Sequence, residues 1–403
     1  MMTQFKKTKL AAAILAASVA APASAATWSA GDWEVSYSGI VNMFYSMADT
    51  NTTGQSDSVH MQEGLLPAVH TMKAVSPATN GLTGTAQISM MPDTTTDKDQ
   101  RLNKGGNMLD IREVFFNVDG SFGTVSVGRG LSLFQRNAIV KDMTLFGVGA
   151  AGGGDGGGTT LGRIGHGYVY PDFRSRFAWK SPDLNGMSIE LGIFDPQEPA
   201  NTITGAQAGN AFESDTPQLQ GELTYSTAFD GGSVSVWAGF LWQEIEGTGT
   251  AAANELVATG TTGDVTTSGV NIGVDANFAN VGIVGSWYTG EALGTTFLLN
   301  SVFGAAPFTC NATACSEAEN DGYYVQGTYS FGATKVGVSY GESVQDVDAA
   351  AATGAIAGRE QQLLTVGIYH DVNSWLKVVA EYNADNSDVQ NADVISVGGF
   401  MFW

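Results

Sequence analysis

The sequence predicts an all-β chain, a transmembrane antiparallel up-and-down β-barrel of 16 strands, and three observations carry that expectation. Short segments alternate apolar and polar residues with period two, the mark of a strand whose two faces meet different surroundings. Segment lengths near ~10 residues match the ~9–11 that a tilted strand needs to cross a bilayer. Long and short connections alternate, eight long and seven short, as they do when short turns lie on one side of a membrane and loops on the other. A soluble sandwich has no reason to gather its long connections at one end. Closure also pairs every backbone group within the wall and leaves no edge in lipid.

Taken in order, residues 1–25 read as a cleaved export signal. Lys6, Lys7 and Lys9 precede the apolar stretch from Leu10 to Ala21, and Ala23, Ser24 and Ala25 form a small-residue cleavage site. The barrel domain is then 26–403. It begins near Trp33, where Val35, Tyr37, Gly39, Val41, Met43 and Tyr45 share one face and Glu34, Ser36, Ser38 and Asn42 the other. The next strands are read at 65–75 and 82–91, joined by a tight turn containing Pro77 and Gly81, then at 109–118 and 124–133. After a long interval the hairpins continue at 174–181 with 187–194, 219–229 with 233–244, and 270–278 with 281–288. Two more follow, 323–331 with 334–340 and 362–369 with 376–383, and 394–403 closes the chain. The faces sort consistently: Leu219, Leu223, Tyr225 and Phe229 oppose Gln220, Glu222 and Thr224.

Residues 134–173 keep neither period. Connections of this length inside a fold are uncommon and usually functional, so this one is expected to fold inward and narrow the bore. Its glycine run, Gly152 to Gly158 around Asp155, is followed by no Gly-Lys-Ser/Thr and no strand-to-helix context, which excludes a phosphate loop. Backbone able to pass close to a wall is the better reading.

Loss of the three leader lysines from 18 Lys and Arg leaves 15 against 40 Asp and Glu, a net charge near −25. Such a chain repels nucleic acid. Between Lys180 and Lys335 lie 17 acids and no basic residue, so one flank is purely acidic. Loop acids there, such as Glu198, Glu213, Glu255 and Glu317, suit a solvated surface bridged by divalent cations to anionic groups of the surrounding lipid. Glu222 and Asp275 instead suit an inward, cation-concentrating vestibule. Trp33, Tyr45, Trp237, Trp242, Trp287, Tyr323, Tyr329, Trp375 and Trp403 sit near strand ends, where membrane barrels carry aromatic girdles. The only cysteines, Cys310 and Cys315, read as a disulfide in an exported chain; a metal reading would need further ligands, and no histidine is near. His60, His70, His166 and His370 are scattered without metal-ligand spacing. Neither a cofactor nor a catalytic constellation is expected.

The stretch from Arg112 to Arg129, the Gly162-Arg163-Ile164-Gly165 segment, the hairpin from Arg176 to Gly186 and the ending Ile395, Val397, Met401 and Trp403 together resemble the trimeric 16-stranded general porins of Gram-negative outer membranes. The resemblance is specific over 109–194 and at the two ends; between about 200 and 390 it rests on strand rhythm. It implies a homotrimer in the outer membrane passing small hydrophilic solutes and ions, with Trp403 as the signal that the barrel-assembly machinery reads. It implies that Arg112, Arg129 and Arg163 stand on the pore wall near the constriction, joined by Arg174 and Arg176, opposite loop acids Asp142, Asp155 and Asp172. Two departures stand out: the loop lacks the family's Pro-Glu-Phe-Gly-type tip, and Val69 and His70 stand where an arginine is expected. The expected ion preference is weakly cationic. Two other readings are a substrate-specific channel with a solute site at the arginines, and a plugged structural or adhesive barrel.

Overall fold

The structure, a computed structural model, describes residues 25–51, 56–92, 109–151, 159–199, 212–248, 262–300, 307–310, 313–346, 358–388 and 391–403. The expected export signal therefore lies outside the described residues except for Ala25.

Sixteen antiparallel strands form one closed wall. They are β1 (Trp33–Thr50), β2 (Ser58–Gln62 and, after a break, Val69–Val75), β3 (Thr83–Pro92), β4 (Leu109–Gly120) and β5 (Gly123–Leu131). Then follow β6 (Phe173–Lys180), β7 (Met187–Phe194), β8 (Gln218–Phe229), β9 (Gly232–Gly247), β10 (Val265–Phe278) and β11 (Val281–Glu291). The last are β12 (Glu319–Phe331), β13 (Thr334–Asp346), β14 (Arg359–Asp371), β15 (Leu376–Asn386) and β16 (Asn391–Phe402). Each strand pairs with the next in sequence, and β16 returns to β1 with a register running from Ile40 opposite Phe402 to Thr50 opposite Ala392. An extra strand, Ala26–Ala30, folds back on the start of β1.

The period-two pattern becomes an outside and an inside. Leu219, Leu223, Tyr225 and Phe229 are exposed on the outer surface, whereas Gln220 and Glu222 are buried within. The same sorting exposes Val270, Ile272 and Val274 and buries Asn271. Apolar side chains are stable outside because the surrounding solvent is hydrocarbon.

Trp237 departs from the expected girdle. Alternation along β9 turns it inward, where it is buried, and a Cβ at Gly273 on the paired strand would stand only 2.1 Å from its ring. The wall is glycine there because an aromatic ring lies flat across it.

The seam between the two ends depends on a similar fit. Trp403 and Gly39 exchange backbone hydrogen bonds of 3.0 and 3.1 Å. A Cβ at Gly39 would sit 2.1 Å from the indole of Trp403, whose ring also lies beside Tyr37 and His70. Gly39→Val is expected to lower the yield of closed barrel, read as loss of the fast-migrating band in unheated detergent gels.

The second strand starts differently from the expectation at residue 65. Ser58–Gln62 is already strand; the chain then leaves the wall and Glu63, Leu65, Leu66 and Ala68 are buried inside the barrel before pairing resumes at Val69. Asn42 holds this break from both sides, accepting from the Gly64 amide at 2.8 Å and donating to the Leu66 carbonyl at 2.8 Å.

The main apolar core lies inside the barrel, between one arc of wall and the long connection after β5. Inward Ile40, Phe44, Val284, Tyr324, Tyr369, Val379, Phe400 and Phe402 pack there against Ala138, Ile139, Met143, Leu145 and Val148 of that connection. Lumen positions on this arc are apolar because protein, not water, covers them.

Candidate functional site

The connection from β5 to β6, residues 132–172, folds into the bore as the sequence predicts. Its base is closed by the Ser132 amide donating to the Asp172 carbonyl at 2.9 Å. It carries a short helix, α1 (Arg136–Lys141), and a 3₁₀ turn, Met143–Phe146. It crosses the bore, held by polar ties to widely separated strands.

At its start, Gln220 of β8 accepts from the Leu133 and Phe134 amides, both at 2.8 Å. One turn on, Arg136 donates to Glu190 of β7 at 2.8 Å and to Glu222 of β8 at 2.5 Å. All three side chains are buried. Burial alone opposes the Arg136 charge, but the two carboxylates outweigh it and hold the guanidinium protonated more firmly than usual. Next, Lys141 pairs with Asp275 of β10 at 2.8 Å, and Gln326 of β12 accepts from the Met143 amide at 2.6 Å. Glu381 of β15 accepts from the Val148 and Gly149 amides at 2.8 and 2.9 Å. Gly149 has φ +59°, and a Cβ there would stand 2.2 Å from the Gly162 carbonyl, so this crossing of the loop over itself requires glycine.

Arg163 returns the loop to the wall. It donates to the Leu363 carbonyl at 2.8 Å, the Ser339 carbonyl at 3.2 Å and Thr365 Oγ1 at 3.0 Å. The wall position by the constriction expected for it is therefore corrected: Arg163 belongs to the loop and is fully buried against β13 and β14. Asp142 lies on the same buried side. It caps the 3₁₀ turn through Thr144 and accepts from Tyr168 Oη at 2.9 Å, with Arg163 Nε 3.9 Å away. It faces its own loop, not an arginine-lined wall.

The other predicted residues divide. Arg112 stands at a bulge in β4: Ser89 pairs with Glu113 and Met90 with Ile111, which leaves Arg112 unmatched. Such an insertion re-aims a side chain, and Arg112 pairs with Asp110 at 2.6 Å and lies close to Tyr170 of the loop. Burial pushes the Tyr170 hydroxyl up to about 12, against the pull of that arginine. Arg176 is inward and buried, donating to the Leu131 carbonyl. Arg174 donates to the Asp195 carbonyl at 2.7 Å and to Asp172 at 3.5 Å, so Asp172 is its neighbour. Arg129 is corrected outright: its register partners are Val114 and Ser175, and Val114 is on the lipid-facing surface, so Arg129 points outward. Asp155 lies outside the described residues. Cys310 and Cys315 form the expected disulfide, closing the hairpin of Phe308–Cys310 with Cys315–Glu317.

Two further inward segments were not anticipated. The break in β2 grips the loop, with the Leu65 amide donating to the Gly147 carbonyl at 2.9 Å and the Thr160 amide to the Gly64 carbonyl at 3.2 Å. The connection from β11 to β12 also descends: Tyr170 donates its amide to the Thr296 carbonyl at 3.0 Å and meets Phe297 edge to face at 5.7 Å. Leu293, Thr296 and Leu299 are buried there. The apolar run 297–299 was the available signal, without a period to place it.

A family model described as "Gram-negative porin" matches residues 11–390. The chain belongs to the Gram-negative porins. Solved structures agree in fold. The outer-membrane channel DcaP of Acinetobacter baumannii aligns with a TM-score of 0.67 at 14% identity, covering 93% of this porin and 99% of that chain. The anion-selective porin of Comamonas acidovorans gives 0.61 at 12% identity, with 92% and 100% covered. The trimer form of OmpT, an outer-membrane protein of Vibrio cholerae, gives 0.53 at 15% identity, with 93% and 100% covered. No curated protein matches the sequence. The porin is an outer-membrane channel protein, and the loop across its bore is its candidate constriction.

Proposed function

We propose that this porin is a passive diffusion channel for small hydrophilic solutes and ions, sieving by size beside the inward loop. The observation that supports the reading best is that the loop is tied to most of the wall and leaves one arc of it uncovered. Its ties run to β7, β8, β10 and β12 to β15. By register, Thr71, Lys73, Gln87, Glu113 and Asn117 face inward on β2 to β4, and all are half-buried. The open path runs along that arc, with Arg112 as its inward arginine.

A weak cation preference follows from the acids on the long connections, Asp195, Glu198, Glu213, Asp215, Asp264 and Glu317, which concentrate cations at one mouth. Deeper in the bore, Glu190 and Glu222 share Arg136 and Asp275 pairs with Lys141, so these groups together add one negative charge of the same sign. Residues 1–25 act as the export signal, Trp403 as the assembly signal, and the functional unit is a homotrimer in contact with lipopolysaccharide.

Reconstitution into planar bilayers tests this. A current that grows linearly with salt, and a reversal potential of the sign for cations under a salt gradient, are expected. Absence of current would favour a plugged barrel. Arg112→Gln should move the reversal potential further toward cations, because it removes an inward positive charge and leaves the ties through Arg136, Lys141 and Arg163 in place; an unmoved potential would remove Arg112 from the constriction.

A further inference from the structure

Where the two inward connections meet, they leave a cavity of about 210 Å³. Phe134, Val169 and Tyr170 of the first loop, Leu241 of β9, and Phe297 and Leu298 of the second supply its apolar lining. Gln218 and Gln220 of β8 supply a polar side, and Asp172 and Arg174 lie at its edge. An aromatic and aliphatic enclosure with a few polar groups is the usual composition of a small-molecule site.

The charges at the edge are spent. The Arg174 guanidinium donates to the carbonyls of Asp195 and Pro196, to Gln197 and to Asp172, which occupies four of its five N–H groups and pairs its charge with Asp172. The carboxamides are arranged otherwise. Gln218 Nε2 donates to Gln243, Gln220 Nε2 donates to Gln218, and Gln220 Oε1 accepts from the Leu133 and Phe134 amides. These bonds orient both amides and use one N–H of each nitrogen, which leaves a second N–H on each. The pocket thus offers oriented donors beside ring faces and presents no free charge.

We propose that this cavity binds a small uncharged solute that has a flat apolar face and acceptor oxygens, of about hexose size. A charged solute is disfavoured because an ion loses its hydration there without gaining a counter-charge. The cavity forms only where the loops join, so the second loop serves as a specificity element alongside the first. The inference rests on the diffusion reading and extends it by adding a selective site beside the inward loops.

D-glucose is the probe, with D-gluconate as its charged counterpart of similar size. Titration calorimetry on detergent-solubilised protein should give saturable heat with glucose and none with gluconate. Leu298→Trp, which fills the cavity, should abolish that heat, and Phe297→Ala should weaken binding about tenfold through loss of ring contact. Both variants are first checked for the heat-modifiable gel band of a closed barrel, so that a folding defect is not read as lost binding. Equal binding of gluconate, no binding of glucose, or unchanged affinity in the folded Leu298→Trp protein would overturn the proposal. Calorimetry needs no conduction: a non-conducting barrel that binds glucose sinks the diffusion reading alone, and a conducting barrel that ignores glucose sinks the site alone.

Discussion

Arg136→Ala is expected to loosen the constriction more than any other single change. It leaves Glu190 and Glu222 buried, adjacent and without their cation. Removing one partner of a buried ion pair costs about 3–5 kcal/mol, and here two like charges remain. The barrel wall does not depend on Arg136, so the cost falls on the loop. Single-channel recordings should show a larger, noisier conductance with more frequent substate transitions, while the folded gel band persists. Adding Glu190→Gln and Glu222→Gln should quiet the channel again, because neutral amides tolerate the missing cation. A quiet wild-type conductance in Arg136→Ala would show that the buried triad does not hold the loop.

Arg163→Ala should disturb the channel just as visibly, and differently from Arg112→Gln. Arg163 donates to two wall carbonyls and to Thr365; hydrogen bonds from a charged donor contribute about 1.5–3 kcal/mol each. Its loss should release the return limb of the loop, read as higher conductance and faster cleavage of the loop by added protease. Ion selectivity should scarcely change, because a guanidinium buried under the loop is not seen by passing ions. If the reversal potential moved while conductance stayed constant, Arg163 would face the permeation path after all.

Most of the wall was legible in the sequence because strand alternation is a local property. Leu219 to Phe229 declares its two faces within one strand, and loop lengths declare which end is which. The inward loop was legible as an absence of period. Its attachments were not, because Arg136 and Glu222 are separated by 86 residues and no local pattern pairs them. Arg129 and Arg163 mislead for a related reason: family spacing identifies an arginine near the constriction but not which way it points. A one-residue difference in strand position reverses the face, and Arg129 falls on the lipid side. Arg112 escapes that rule through the bulge, which nothing in its neighbours announces. Trp237 reads as a girdle residue until Gly273, across the strand pair, reveals the space for its ring.

The ties of the inward loop have a consequence for biogenesis. Glu381 lies 232 and 233 residues beyond the amides it receives, and Thr365 lies 202 residues beyond Arg163. Such contacts need strands made near the end of the chain, and pairings so distant in sequence form late. The return limb of the stopper therefore cannot be fastened until the final hairpins have joined the cylinder, and a newly sealed barrel passes through a wider, leakier infancy before its aperture is set.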